Sequence, residues 1–361
     1  MELVSSLLII PLAFVVTWIS TGLLIRFLIS WRIVDNPNDR SSHKVPTPRG
    51  GGIGILLGLA AALAAAYGLG LPVVALPILA GTLVVAISGV IDDAFRGIPP
   101  LVRLAVQTGA ASWVIWNTGA LATLPFPSPL DLQLGRLGPV LSILWIVAIC
   151  NFYNFLDGID GYAAVQGLLA GFGLLLLGYD AFVTMGLALI GACSAFLCYN
   201  WHPARVFMGD VGSGALGFFL AALPFAAPPG PRETSAFAIG LFLWFFLSDG
   251  LFTLLARLSR REKVWTAHRS HLYQRLVMAG MAHHSIVLAV GAAAAPLILL
   301  TALSCRHQET ILQWISFLFG MLGFVGYVGW THFREAHASS DGVTAWRRGQ
   351  TPSITSHAAP S

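Results

Sequence analysis

Charge is scarce in this chain. Asp, Glu, Lys and Arg make up 10% of its 361 residues, against roughly 25% in an ordinary soluble domain. A fold in water needs a polar skin, and a chain that is 56% hydrophobic has little with which to build one. Cysteine is scarce too. Cys150, Cys193, Cys198 and Cys305 form no CxxC and no Cys/His metal spacing, which excludes a zinc ribbon. They read as small core residues in apolar helices. No basic segment precedes the first apolar run, and that run exceeds the ~7–15 residues of a signal-peptide core, so it reads as a retained span. Strict apolar/polar alternation is missing, which excludes a transmembrane barrel. No internal repeat of the kind common in transporters is present. The net charge of +4 comes with no RNA- or DNA-binding motif, so nucleic acid is not an expected partner.

What the chain has is long apolar runs. A spanning helix needs about 20 mostly apolar residues. Candidates lie at 4–29, 52–69, 72–91, 103–119, 137–153, 161–178, 181–199, 211–227, 236–256, 284–303 and 311–330. The expected fold class is therefore an all-α polytopic membrane protein of about 11 transmembrane helices. With the N-terminus outside, 17 of the 20 Lys and Arg residues fall in inside loops, leaving only Arg136, Arg232 and Arg306 outside. Cytoplasmic loops carry that excess, which places the C-terminus in the cytoplasm. Residues 1–333 read as one integral membrane domain, embedded in lipid. Residues 334–361 are polar and rich in Ser, Ala and Pro, and read as a disordered cytoplasmic tail.

The acidic residues carry the functional signal. Asp92, Asp93, Asp157, Asp160 and Asp210 all fall at cytoplasmic ends of spans, where a carboxylate is costly unless paired, metal-bound or wetted. Asp92 and Asp93 close the third span, with Arg96 and Arg103 following. Two adjacent carboxylates suit a divalent cation, although a hydrated helix end also explains them. In NFYNFLDGIDGY, Asn151, Asn154, Asp157 and Asp160 step by three, which on a helix lines one face with oxygen ligands and amide donors. In FMGDVGSGALG, Asp210 precedes a glycine-rich helix start whose N–H groups can face an anion, or which Asp210 merely caps. Two basic segments complete the set. RSSHKVPTPRGGG offers His43, Lys44 and Arg49, and the later loop offers His268, Arg269 and His271. No Cys or third His completes a zinc site there, so phosphate contact by imidazole and guanidinium fits better. Hard-cation ligands, phosphate-neutralising cations and lipid are together what phosphoryl transfer needs.

In order, PTPRGGG, DD, NxxNxxDGxDG, GDxGS and HxxH resemble the polyprenyl-phosphate N-acetylhexosamine-1-phosphate transferases over roughly residues 35–285. The likeness is to the branch initiating O-antigen and common antigen; the lipid I-forming enzymes are more distant, because their basic loop has consecutive histidines where this chain has HRSH. A muramyl-pentapeptide donor is therefore not expected. The resemblance implies Mg²⁺, or Mn²⁺ in its place, in a cytoplasmic cleft of a bacterial inner-membrane enzyme. It implies Asn154 and Asp210 as metal and diphosphate contacts, and Asp92 and Asp93 as the catalytic pair near the metal and lipid phosphate, with Asp210 beside them. Asn151, Asp157 and Asp160 then fall near the nucleotide, and His268, Arg269 and His271 near its diphosphate. His43, Lys44, Arg49 and Arg103 are left for phosphate and lipid-phosphate contacts.

The expected reaction moves a sugar-1-phosphate from a UDP-N-acetylhexosamine (UDP-GlcNAc, UDP-FucNAc or similar) to undecaprenyl phosphate, releasing UMP. Asp92 either accepts a proton from the lipid phosphate or positions it. The sugar, and the choice between monomer and homodimer, stay open. The rival from another class is a polytopic transporter or flippase for a phosphorylated solute, for which Asp249 in the ninth span is the one suitable acid. A CDP-alcohol phosphatidyltransferase is excluded, because DGIDGYAAVQG lacks the arginine of that signature.

Overall fold

The computed structural model describes residues 6–37, 45–95, 97–263 and 269–347, so His43, Lys44 and His268 lie outside the described residues. Every apolar run expected to span forms helix. The helices are α1 (Ile9–Ser30), α2 (Gly52–Gly68), α3 (Leu76–Phe95), α4 (Pro100–Thr118), α5 (Gly138–Phe155), α6 (Tyr162–Leu177), α7 (Asp180–Asn200) and α8 (Gly209–Ala222). They continue with α9 (Pro231–Phe242), α10 (Trp244–Ser259), the short α11 (Leu272–Met278), α12 (His283–Arg306) and α13 (Thr310–Arg347). Among the described residues, seven segments are long and apolar enough to cross a membrane, or eight if one bent pair counts as a single span. Helices α2 and α6 are apolar but shorter. The protein is thus mostly helical and polytopic, with fewer full-length spans than the eleven expected.

Burial grades across the bundle. Nearly all of α8 is enclosed, and α3, α5 and α2 pack around it. Helix α13 instead turns large apolar side chains such as Leu318, Leu322 and Val325 outward. In water those groups would be an aggregation surface; against lipid they cost nothing. At one end of the bundle, glycine lets backbones touch. A Cβ on Gly89 of α3 would lie 2.5 Å from the Val211 backbone, and one on Gly52 of α2 would collide with Gly212.

Three expectations are corrected. The ninth expected span, 236–256, is not continuous: α9 and α10 meet at 75° about Leu243. The break frees the Phe242 carbonyl from its helical partner, and the buried Gln166 amide of α6 donates to it at 2.7 Å. The tail expected from 334 is helical as far as Arg347. Its prolines, Pro352 and Pro360, lie beyond that point, and Arg275 grips Glu335 one turn past the membrane run, at 2.8 and 2.6 Å. The step-of-three face from Asn151 to Asp160 does not form either. Helix α5 ends at Phe155, and Gly161, at φ +78°, turns the chain into α6. Asp157 and Asp160 therefore sit in a loop, off the helix face.

A small antiparallel ribbon positions the first basic segment: β1 (Val34–Asp35) pairs with β2 (Thr47–Pro48). Beyond it the chain pairs with the segment leading into α8. Phe207 donates its N–H to the Pro48 carbonyl at 2.8 Å, and its own carbonyl receives the Gly50 and Gly51 N–H groups. PTPRGGG and FMGD, far apart in sequence, are thereby laced side by side.

Candidate active site

Helix α8 begins at Gly209 with unpaired backbone N–H groups, as every helix does. The cap comes from another helix. Asp93, in the last turn of α3, accepts the Asp210 N–H on Oδ1 and the Val211 N–H on Oδ2, each at 3.0 Å. The lacing of PTPRGGG to FMGD then puts Arg49 between the two acids. Its Nε lies 2.6 Å from Asp93 and its Nη2 2.8 Å from Asp210. Burial works against the guanidinium charge, but Asp210 and Asp93 outweigh it and hold the Arg49 pKa above its ordinary value. Both Asp93 oxygens are thus engaged by backbone N–H donors, and its side chain is more enclosed than those of Asp92 and Asp210.

Asp210 is the hub. Oδ1 also accepts from Asn154 Nδ2 at 3.0 Å, and Oδ2 faces Arg103 Nη1 at 3.3 Å. Asn154 donates further to Ser213 Oγ at 2.8 Å, one turn into α8. Asp92 reaches Arg103 more loosely, at 3.6 Å, receives the Ile98 N–H at 3.1 Å, and lies within hydrogen-bonding reach of Asp210. Counting every group as charged, three carboxylates face two guanidiniums and leave one net negative charge. Carboxylates pressed together in this way are the donor chemistry of a hard divalent cation. That chemistry fits Mg²⁺, which Asp210 and Asp92 would hold, with Asn154 beside them.

Other expected residues are placed differently. Asn151, one turn back along α5, donates at 2.6 Å to Gln107 of α4, which is buried, so it braces two helices. Asp157 is half-buried just past α5. Desolvation first, and the negative charge of Asp210 second, push its carboxyl well above the usual range. Asp160 points into a separate group. Its Oδ2 meets His202 Nδ1 at 2.6 Å, the Ala204 N–H at 3.2 Å and His283 Nδ1 at 3.4 Å. Burial works to raise this carboxyl, but hydrogen bonds from His283 and His202 prevail and hold it below its ordinary value. Asp160, His202 and His283 bring their donor atoms within 4.8 Å of one another. Two imidazoles and a carboxylate suit a zinc-like ion better than magnesium.

The second basic loop docks beside α5. Tyr273 Oη donates to the Phe155 carbonyl at 3.1 Å, and the His271 ring centroid lies 6.5 Å from that of Phe155, next in sequence to Asn154. Arg269 precedes it, half-buried. Sequence reasoning missed Gln107, Ser213, His202 and His283. Gln107 carried a signal as an amide inside an apolar helix. Asp249, the one acid suited to a transporter, is fully buried at the HxxH loop, with His271, Leu272, Tyr273 and Thr253 on its carboxylate.

A profile described as glycosyl transferase family 4 matches residues 75–227, which contain Asp92, Asp93, Asn154 and Asp210. A probable undecaprenyl-phosphate N-acetylglucosaminyl 1-phosphate transferase of Bacillus subtilis is 30% identical over 295 residues, 78% of this chain and 81% of that protein. A decaprenyl-phosphate N-acetylglucosaminephosphotransferase of Mycobacterium leprae is 31% identical, across 77% of this chain and 78% of its own length. The similarity to a phospho-N-acetylmuramoyl-pentapeptide-transferase of Moorella thermoacetica is 38%, but over only 39% of this chain and 49% of that protein.

Proposed function

This chain belongs to glycosyl transferase family 4, and from that membership we propose that it transfers an N-acetylhexosamine-1-phosphate from a UDP-sugar to undecaprenyl phosphate. UMP leaves, and a polyprenyl-diphosphate sugar is formed at the cytoplasmic face of a bacterial inner membrane. The relatives' names favour GlcNAc as the sugar. In this reading the product begins a cell-surface polysaccharide of the O-antigen kind. The eleven-span topology with the N-terminus outside belongs to the same proposal.

One observation carries it. Asp92, Asp93, Asn154, Asp210, Arg49 and Arg103, from five stretches of chain, converge in a single charged cluster. A bound divalent cation would supply neutralisation of the diphosphate charge there. The chain's own residues do the rest. A non-bridging oxygen of the lipid phosphate attacks the sugar-linked phosphorus in line. The bond from that phosphorus to the bridging oxygen breaks, and its electron pair leaves on UMP. Arg49 and Arg103, now paired with carboxylates, exchange those partners for substrate phosphates, as planar guanidiniums do well. Asp93 stays on the α8 amides and fixes Asp210 in place. Asp92 positions the lipid phosphate. A phosphomonoester has a second pKa near 6, so the nucleophile is largely dianionic at neutral pH and needs no strong base.

A transporter has less to stand on, because the one acid it could use is tied into a loop. The test uses purified protein, Mg²⁺, undecaprenyl phosphate and a panel of UDP-sugars. UMP release from at least one donor is expected; none from any donor overturns the proposal.

A further inference from the structure

Asp249 lies in α10, six residues past the bend, with none of its surface exposed. A bare carboxylate buried there would be prohibitively costly. Its satisfaction comes from outside its own helix, except for one hydroxyl. Oδ1 accepts the Leu272 N–H at 3.0 Å and the Thr253 hydroxyl at 3.1 Å, and meets His271 Nδ1 at 3.2 Å. Oδ2 faces the Tyr273 N–H at 3.4 Å. An ionised carboxylate can only accept, so the ring proton shared with it sits on Nδ1 of His271. That choice fixes the tautomer and leaves the imidazole's chemistry toward other groups to Nε2. The same contacts hold the ring in place. Its face stacks on Tyr273 with centroids 5.9 Å apart, and Tyr273 is bonded to the end of α5 beside Asn154.

We infer that Asp249 is a positioning residue for UDP-sugar binding, acting through His271, whose ring it orients toward the nucleotide diphosphate. The inference rests on the reading of the site given above. Asp249 touches no substrate. It uses the backbone of 272–273 and the Nδ1 of His271 to hold a basic loop that would otherwise hang between two helices.

The test is a double-mutant cycle on full-length purified protein, reading KM for the UDP-sugar and kcat for UMP release, with thermal unfolding alongside. Asp249→Asn keeps an oxygen for the backbone N–H groups and removes the charge. A charge-assisted bond becomes a neutral one, so KM for the UDP-sugar is expected to rise about fivefold, while KM for the lipid acceptor holds. In a His271→Gln background the same change is expected to raise KM less than about twofold, because the ring it acts through is gone. Should Asp249→Asn fail to fold, Thr253→Val loosens the same carboxylate more gently, and the same loss of effect in the His271→Gln background is expected. An equal KM effect with and without His271 overturns the inference, as does a fall in unfolding temperature with both KM values unchanged. Wild-type protein inactive on every donor would instead overturn the proposed function, so the two failures are distinct.

Discussion

Two carboxylate clusters sit near each other in this protein, and their partners differ in kind. Asp93 and Asp210 face arginines, which keep their charge at any pH a cell meets. Asp160 faces two histidines, His202 and His283. The arginine cluster holds a fixed charge pattern whose guanidiniums can move from carboxylate to phosphate without a proton being gained or lost. The histidine cluster clasps the loop after α5 to the starts of two other segments. In the proposed function the first set exchanges its partners for substrate phosphates, while the second holds the chain.

The largest expected effect falls on the first cluster. Asp210→Asn lowers kcat for UMP release about 10³-fold, the scale of losing a major electrostatic contact in a transition state, and weakens the response to added Mg²⁺. Equal Mg²⁺ response in the variant and wild type would show that Asp210 does not hold the ion. Asp93→Asn comes next. It loses the Arg49 ion pair and weakens the α8 cap, so unfolding temperature and activity fall together; a capping interaction is worth about 1 kcal/mol. Activity lost with unfolding unchanged would mean that Asp93 acts on substrate and not on the helix.

The comparison sharpens on the pH axis. The folded Asp160 carboxyl lies below its ordinary 3.8, so its stabilisation is complete above that value and is lost only as pH falls through the lowered one. Asp160→Asn should therefore lower the unfolding temperature at pH 7, with the gap from wild type closing at the acid end. A gap that is the same at every pH contradicts the clasp. Asp157 has the opposite sign and the smallest effect. Its carboxyl is raised, so its ionisation costs stability as pH rises above 3.8 and through the folded value. Asp157→Asn should raise the unfolding temperature at neutral pH by about 2 °C, with the gain fading toward pH 4. A loss of stability at neutral pH would contradict it.

Much of this was legible in the sequence, for reasons that show in particular residues. Apolar runs gave helices where expected, because burying or lipid-facing an oily 20-mer has few alternatives. The convergence of Asp92, Asn154 and Asp210 had a trace in the sequence, as polar side chains at matching span ends. The bend between α9 and α10 was hidden, since no proline or glycine marks Leu243 and the amide that stabilises it, Gln166, comes from another helix. The split of Asp157 from Asp160 was hidden because a step of three has one meaning on a helix and none in a loop. Asp93's role as a cap on α8 depends on two helices meeting, which no local pattern records.

The most direct test of the central claim identifies the nucleotide released. Purified protein with Mg²⁺, undecaprenyl phosphate and UDP-GlcNAc should release UMP, one for each lipid-linked sugar formed, and both products should vanish with EDTA. Release of UDP would mean that the sugar–oxygen bond breaks instead of the diphosphate, and would contradict a cluster arranged for phosphoryl transfer.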